Sequence, residues 1–202
     1  MILTRRTALA GALAVPAALS LPGLALAKPA PAFAVKDIDG KVRSLDEFKG
    51  RVVVLEWINE GCPYVKKHYS GNMQGLQVSA VREGAVWLSV CSSAVGQQGH
   101  WKTGAEAKAW MAANNWAGSA MLIDPDGKMG RAYGAKTTPH MYVIDKAGTL
   151  VYQGGIDDVP TSKVEDIKRA RNLVAAALAD VNAGRPVKTA FSQPYGCAVK
   201  YA

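Results

Sequence analysis

The chain has few cysteines, no cluster of basic residues and no uninterrupted apolar run long enough to be a permanent membrane anchor. Its three cysteines are an odd number, so one is left over after any internal pair. The formal charge is +8, but most basic residues are interleaved with acidic ones, and the pattern does not predict a nucleic-acid partner. The excess of positive charge favours acidic partners or a membrane surface only through weak, salt-screened attraction.

The first 27 residues have the layout of a cleaved secretory signal. Arg5 and Arg6 precede an Ala/Leu-rich stretch that prolines interrupt, and small residues ending at Ala27 form a cleavage site. The arginine pair resembles a twin-arginine signal, although alanine stands where an aromatic residue is usual, so a general secretory signal is the alternative. No cysteine precedes Cys62, which excludes a lipoprotein anchor. We therefore expect a periplasmic protein, cleaved near Ala27, with one domain at residues 28–202.

Strand and helix patterns alternate along the remaining chain. They predict a β-hairpin across Asp39-Gly40, strands at 52–58, 85–90, 140–144 and 149–153, a short strand ending at residues 122–123, and helices at 63–81 and 105–114. A final helix is predicted to begin with a capping box formed by Ser162 and Glu165 and to stop at Gly184. This order predicts an α/β fold: a mixed central sheet flanked by helices, with an N-terminal β-hairpin and a C-terminal helix plus tail.

Cys62 is the candidate nucleophile, because it lies between a buried strand and the start of a helix that Pro63 is suited to begin. Unpaired backbone N–H groups and the positive end of the helix dipole favour a thiolate at this position. Lys66 and Lys67 are expected to add positive charge nearby. The alternative is a buried structural cysteine that happens to precede a helix.

The other two cysteines have different contexts. Cys91 ends an apolar run and is expected to be a buried small hydrophobe. Cys197 lies on a turn-rich C-terminal tail that could bring a second sulfur to the first, and the alternative is a tail cysteine held elsewhere or left free.

Several motifs resemble the peroxiredoxin-like branch of the redoxin (alkyl hydroperoxide reductase/thiol-specific antioxidant) family, within the thioredoxin superfamily. They span nearly all of residues 28–202, and are Cys62-Pro63-Tyr64-Val65-Lys66, Tyr133-Gly134-Ala135 with Thr138-Pro139-His140, Val151-Tyr152-Gln153-Gly154-Gly155-Ile156-Asp157-Asp158, Ala183-Gly184-Arg185-Pro186-Val187 and Gly196-Cys197-Ala198-Val199-Lys200. The resemblance implies a thioredoxin-like fold in which a cis peptide at Thr138-Pro139 faces the active cysteine.

By the same resemblance, the backbone at Thr138 and Pro139 would bind an extended substrate, and we expect Pro63 and Tyr64 to line its approach. Packing of Tyr64 against the first helix is an equal alternative.

The sequence departs from these relatives in two respects. Val65 stands where a dithiol oxidoreductase of the thioredoxin type has its second cysteine, so a local disulfide cannot form. Leu55 and Asn59 replace the proline and the Thr/Ser that shape the peroxide pocket of true peroxiredoxins. Arg131 is the suggested counterpart of their distal arginine. These departures predict slow peroxide reduction.

Two functions remain at this point. The first is an exported thiol-dependent oxidoreductase in which Cys62 attacks a protein disulfide, a small-molecule disulfide or a peroxide, and Cys197 of the same or a second subunit resolves the intermediate. It would need an envelope thiol reductant and neither a cofactor nor a metal. The second is a non-catalytic module that binds a soft metal or a client protein through Cys62 and His140. His140 could instead modulate the thiol pKa, and His68 is expected to be structural.

Overall fold

A computed structural model describes residues 28–202 of the chain. Its strands are β1 (Lys28–Pro29), β2 (Ala34–Lys36), β3 (Val42–Ser44), β4 (Val53–Trp57), β5 (Val86–Cys91), β6 (Ala120–Ile123), β7 (Thr137–Thr138), β8 (His140–Ile144), β9 (Thr149–Gly154) and β10 (Cys197–Ala198). Its α-helices are α1 (Pro63–His68), α2 (Asn72–Arg82), α3 (Gly104–Ala113), α4 (Lys128–Tyr133) and α5 (Leu173–Asn182). Two 3₁₀ helices occupy Leu45–Phe48 and Val164–Arg169. The predicted signal lies outside the described residues.

The main sheet has six strands in the order β1-β9-β8-β4-β5-β6. β4, β5 and β6 are parallel, whereas β8 pairs antiparallel with both β4 and β9. β2 and β3 form the predicted hairpin, with Gly40 at φ 81° in its turn, a conformation that glycine adopts readily. The mixed sheet and the hairpin confirm the predicted architecture.

Two apolar layers cover the sheet, one on each face. Along β4, Val53, Leu55 and Trp57 point to one layer, whereas Val54 faces the other, as the two-residue repeat of a strand requires. The first layer includes α4, and the second includes side chains of α1, α2, α3 and α5. Burial on both faces explains why β4 reads as a nearly continuous apolar run.

The prediction of one helix at 63–81 was wrong, because the chain forms α1 and α2 there instead. Gly71 has φ 124°, which no helical residue adopts, and the Ser70 hydroxyl donates to the carbonyl of Lys67 at 2.7 Å. The Gln74 side chain accepts from the Gly71 N–H at 3.1 Å and so caps the start of the second helix. The break leaves α1 as a short element that carries Cys62 at its N-cap.

The predicted start of the final helix was also wrong. Residues 164–169 form a 3₁₀ helix without a side-chain cap, and α5 begins only after Asn172, whose side chain accepts from the Ala175 N–H at 2.9 Å. Val164 in this segment is apolar but 49% exposed, so it does not belong to the buried face of the last helix. The predicted packing of the last helix on the sheet is confirmed, because Val174 and Ala177 of α5 are buried in the second layer.

The helix α4 was not predicted from the sequence. It has only six residues, contains Gly130 and lies between Gly127 and Gly134, both in the left-handed conformation. Within residues 28–202 no helix combines the length and apolar character needed to cross a lipid bilayer.

Candidate active site

Cys62 is the N-cap of α1, with Pro63 at the first helical positions, as the sequence predicted. Its backbone N–H donates to the carbonyl of Asn59 at 3.1 Å, which fixes the turn between β4 and the helix. The side chain is fully buried, and its thiol donates to the carbonyl oxygen of Thr138 at 3.0 Å. The sulfur therefore lies between the start of α1 and the loop that precedes β8.

That loop contains the cis peptide Thr138-Pro139, in agreement with the expectation from the resemblance. The C-terminal tail runs antiparallel to it: in the register of β10 and β7, Cys197 is opposite Thr138 and Ala198 is opposite Thr137. The half-buried Cys197 therefore lies next to Thr138, whose carbonyl accepts from the Cys62 thiol. The fold unites two cysteines that are far apart in sequence.

The two thiols have opposite pKa shifts. Burial raises the pKa of the Cys62 thiol, but hydrogen bonds to its sulfur outweigh burial and leave that pKa below its usual value. The donors are the side chains of Cys197 and Thr138 and the backbone N–H groups of Val65 and Cys197. Burial and the adjacent Cys62 sulfur raise the pKa of Cys197 to about 11. Cys62 is therefore the more acidic of the two thiols: as the thiolate it no longer donates to the Thr138 carbonyl, and it accepts from the protonated Cys197.

Cys91 is separate from this pair. It is buried, its thiol donates to the carbonyl of Gly99 at 3.1 Å, and burial raises its pKa. Its burial agrees with the predicted structural role. All three cysteines carry free thiols.

Tyr195 fastens the tail two residues before Cys197. Its hydroxyl donates to the buried carboxylate of Asp157 and accepts from Nε2 of His68, whose ring nitrogen lies 3.0 Å away. Asp157 also forms a buried ion pair with Lys67 at 3.4 Å. We call Lys67, His68, Asp157 and Tyr195 the tail-anchor cluster. His68 is therefore structural, as expected, and burial lowers its pKa to about 4, so the ring is neutral at pH 7.

The expectation that Lys66 and Lys67 supply positive charge to the Cys62 thiolate needs correction. The ammonium group of Lys67 lies against Asp157 and also donates to the carbonyl of Val159 at 3.0 Å, so its charge is compensated elsewhere. Lys66 is exposed, where solvent screens its charge. Hydrogen bonds, rather than lysine charges, lower the pKa of Cys62.

A second tyrosine fastens the end of the tail. The hydroxyl of Tyr201 donates to the carbonyl of Ala135 at 2.8 Å, and Arg131 lies over its ring at 4.7 Å. The Arg131 side chain also donates to the carbonyls of Asp126 at 2.7 Å and Ala202 at 2.9 Å. These contacts give no support to Arg131 as a distal, peroxide-binding arginine.

Of the remaining expected site residues, Tyr64 is half-buried and packs edge-on against Tyr195, with ring centroids 5.8 Å apart. This contact favours its packing role. Leu55 is buried in β4, and the side chain of Asn59 accepts from the Gly61 N–H at 2.9 Å and donates to the Gln98 carbonyl at 3.2 Å. The amide of Asn59 is thereby held by backbone groups.

His140 lies in β8 opposite Trp57 of β4. Its Nδ1 accepts from the Lys136 N–H at 3.2 Å, and burial lowers its pKa to about 4, so the imidazole is neutral at pH 7. No charge on this ring shifts the pKa of Cys62. Residues 28–202 contain no group of three or more His, Cys, Asp or Glu side chains arranged to hold a metal ion.

Sequence reasoning missed the anchoring roles of Lys67, Asp157, Tyr195 and Tyr201. One clue was available for Lys67, which lies three residues after Tyr64 and therefore on the same face of the predicted helix. A lysine that is buried on such a face needs an acidic partner. In the sequence, Asp157 stands out only as part of a motif that resembles the redoxin family.

Comparisons with known proteins identify the family of the chain and support its fold. A family model described as the AhpC/TSA family matches residues 26–153. No curated protein matches the chain. An uncharacterised conserved protein from Geobacillus kaustophilus superposes with a TM-score of 0.71 at 26% identity, over 90% of this chain and 94% of that one.

Two further solved structures are similar. A hypothetical protein from Sinorhizobium meliloti 1021 has a TM-score of 0.68 at 25% identity, over 88% of this chain and 94% of its own. A putative thiol:disulfide interchange protein DsbE from Chlorobium tepidum has a TM-score of 0.50 at 26% identity, over 63% of this chain and 82% of its own. The fold is thioredoxin-like, with a mixed sheet flanked by helices, as the resemblance implied. The chain belongs to the AhpC/TSA family of redoxins.

Proposed function

We propose that the protein is an exported thiol-dependent oxidoreductase in which Cys62 is the nucleophile and Cys197 the resolving thiol. The observation that carries the proposal is the register that places Cys197 opposite Thr138, whose carbonyl accepts from the Cys62 thiol, together with the opposite shifts of the two thiol pKa values. Thiol–disulfide exchange needs a thiolate for the first attack and a second thiol within reach of the intermediate. The similarity to a putative thiol:disulfide interchange protein supports the same reaction class.

The proposed cycle transfers two electrons from the enzyme to a disulfide. The Cys62 thiolate attacks one substrate sulfur, a mixed disulfide forms, the substrate S–S bond breaks, and the leaving thiolate takes a proton. Cys197 then loses its proton and attacks the Cys62 sulfur, which releases the second substrate thiolate. The enzyme is left with a Cys62–Cys197 disulfide, and an envelope thiol reductant would restore the two thiols.

Disulfides are the preferred substrates in this proposal, and peroxides the slower ones. The side-chain amide of Asn59 is committed to Gly61 and Gln98, and Leu55 offers no polar group, so neither is suited to bind a peroxide oxygen next to Cys62. The side chains that donate to the sulfur are those of Cys197 and Thr138.

The test compares reduction of oxidised glutathione and of hydrogen peroxide, with dithiothreitol as the reductant. We expect faster turnover with the disulfide, loss of both activities in Cys62→Ser, and unchanged activity in the matched control Cys91→Ser. In Cys197→Ser, a mixed disulfide of Cys62 with glutathione should accumulate. Activity that survives Cys62→Ser would refute the proposal.

Export is the other part of the proposal. Cleavage after Ala27 would release a protein that begins at Lys28, the first residue of β1. N-terminal sequencing of protein from the periplasmic fraction should give Lys28 or a close neighbour. An intact N-terminus on membrane-bound protein would contradict export by a cleaved signal.

A further inference from the structure

The C-terminal tail lies over the sulfur that must react. The side chain of Cys62 is fully buried, and groups of Thr138 and Cys197 lie against its sulfur. A substrate sulfur has to reach bonding distance of Cys62, at the place that the side chain of Cys197 occupies while the tail is docked. The docked position is also the one from which Cys197 can attack an intermediate on Cys62. Docking therefore opposes the first step of the proposed cycle and is required for the second.

Tyr195 makes the contacts that can control this balance. Its hydroxyl donates to the Asp157 carboxylate and accepts from Nε2 of His68 at 3.0 Å. Nδ1 of His68 accepts from the Asn72 side chain at 2.8 Å, which leaves Nε2 as the donor. The hydroxyl thus uses both its donor and its acceptor capacity in the docked tail. Because one partner is a carboxylate, that bond is stronger than a bond between neutral groups.

The carboxylate that receives Tyr195 is fastened to the helix that begins at Cys62. The Lys67 side chain, near the end of α1, pairs with Asp157 at 3.4 Å, and both side chains are almost completely buried. The Val159 N–H donates to the other carboxylate oxygen at 3.0 Å. These contacts come from α1 and from the chain after β9, so the acceptor for Tyr195 stays in place when the tail moves.

A single residue, Gly196, separates Tyr195 from Cys197. Its φ of 138° lies in the region that favours glycine, and its backbone passes close to the Thr138 carbonyl. Two residues of chain span at most about 7 Å, so a docked Tyr195 confines the Cys197 thiol to the neighbourhood of Cys62. Anchoring of one side chain therefore fixes the place of the resolving sulfur.

We propose that Tyr195 is the positioning residue of the resolving step: its bond to Asp157 holds Cys197 against Cys62, and its release lets a disulfide substrate reach the Cys62 sulfur. The inference rests on the proposed function of the two cysteines. One hydrogen bond then sets two rates in opposite directions. A stronger bond speeds resolution and slows attack, and a weaker bond does the reverse.

The attack takes place while the tail is out. The Cys62 thiolate bonds to one sulfur of the substrate, the substrate S–S bond breaks, and the leaving thiolate takes a proton from solvent. Tyr195 then returns to Asp157 and brings Cys197, which gives its proton to solvent. The Cys197 sulfur bonds to that of Cys62, and the bond from Cys62 to the substrate breaks and releases the second thiolate. Two electrons have passed from the cysteine pair to the substrate.

The test follows both steps in one reaction with dithiobis-nitrobenzoate, in a Cys91→Ser background. Attack by Cys62 releases a first thionitrobenzoate at a rate that grows with probe concentration. Attack by Cys197 on the mixed disulfide releases a second one at a rate that does not depend on probe concentration. Stopped-flow absorbance separates the two phases, and Cys62→Ser corrects for direct reaction of Cys197 with the probe.

Tyr195→Phe keeps the ring and removes the hydroxyl. The tail is docked in the resting enzyme and displaced in the mixed disulfide, so loss of a bond to a charged group should make the first phase about tenfold faster and the second about tenfold slower. Tyr201→Phe removes a bond to the uncharged Ala135 carbonyl and should act in the same directions by a smaller factor. The matched control, Tyr133→Phe, removes a bond to the Pro31 carbonyl at 2.6 Å and should leave both phases unchanged.

Two phases that change in the same direction, or do not change, in Tyr195→Phe would overturn the inference. A faster first phase with an unchanged second would also overturn it, because Tyr195 would then hold a cover without positioning Cys197. An unchanged first phase would show that substrate reaches Cys62 past the docked tail, and the same response in Tyr133→Phe would trace the effect to general loosening; either overturns it. Absence of the first release in the Cys91→Ser protein would instead refute the proposed nucleophile, and the inference with it.

Discussion

Replacement of Cys197 by alanine should raise the pKa of the Cys62 thiol. The Cys197 side chain is the strongest of the hydrogen-bond donors that lower this pKa, and its own pKa of about 11 keeps it protonated while Cys62 titrates. A hydrogen bond to a charged group contributes about 1.5–3 kcal/mol. Since one pKa unit corresponds to about 1.4 kcal/mol, its loss predicts an increase of about 1–2 units.

The matched control is Cys197→Ser, whose hydroxyl can still donate to the thiolate. The assay follows thiolate absorbance against pH, in a Cys91→Ser background so that Cys62 is the thiol observed. An alanine variant with the same midpoint as the wild type would show that Cys197 does not stabilise the Cys62 thiolate.

Three further predictions concern stability. Lys67→Met should lower the free energy of unfolding by about 3–5 kcal/mol, because it leaves the charge of Asp157 buried without its partner. Asn172→Ala should cost about 1 kcal/mol through loss of the α5 cap, and Ser162→Ala should cost nothing measurable. Stability should fall as the pH drops from about 6.5 to about 4, because burial lowers the pKa of both His68 and His140 to about 4. Each folded-state ring binds its proton less readily than in the unfolded chain, by up to about 1.4 kcal/mol per pH unit.

Denaturant unfolding checks all three. The exposed pair of Lys49 and Asp46 is the control for Lys67, and Lys49→Met should change stability by at most about 1 kcal/mol. His140→Gln should remove about half of the pH dependence, and the double variant with His68→Gln should remove most of the rest. Equal costs for Lys67→Met and Lys49→Met, or an unchanged pH slope in His140→Gln, would contradict the assigned burial and pairing.

Much of the fold was predictable, because strand burial and turn chemistry are local signals. The apolar run at Val53–Trp57 and the turn at Asp39-Gly40 each identify an element without help from the rest of the chain. The break at Gly71 was missed because one glycine in an amphipathic pattern does not show whether the helix continues. The start of α5 was missed because Ser162 and Glu165 have the spacing of a capping box, whereas the residue that caps the helix is Asn172.

The two cysteines of the candidate site could be predicted from the sequence, but the residues that hold the tail in place could not. Cys62 stands out through its place between a strand and a helix, and Cys197 through its turn-rich surroundings. The tail-anchor cluster joins residues near positions 67, 157 and 195, and only the folded chain brings them together. For the same reason the sequence could not indicate that hydrogen bonds, rather than lysine charges, lower the pKa of Cys62.

The central claim is that Cys62 and Cys197 form a redox pair. Peptide mapping by mass spectrometry under non-reducing conditions, after mild oxidation and thiol trapping, tests it most directly. The account predicts a linked peptide that joins Cys62 to Cys197 in the wild type, its absence in Cys197→Ser, and Cys91 recovered as a free thiol. A link from Cys62 to Cys91, or Cys62 sulfenic acid alongside an untouched Cys197 thiol, would contradict it.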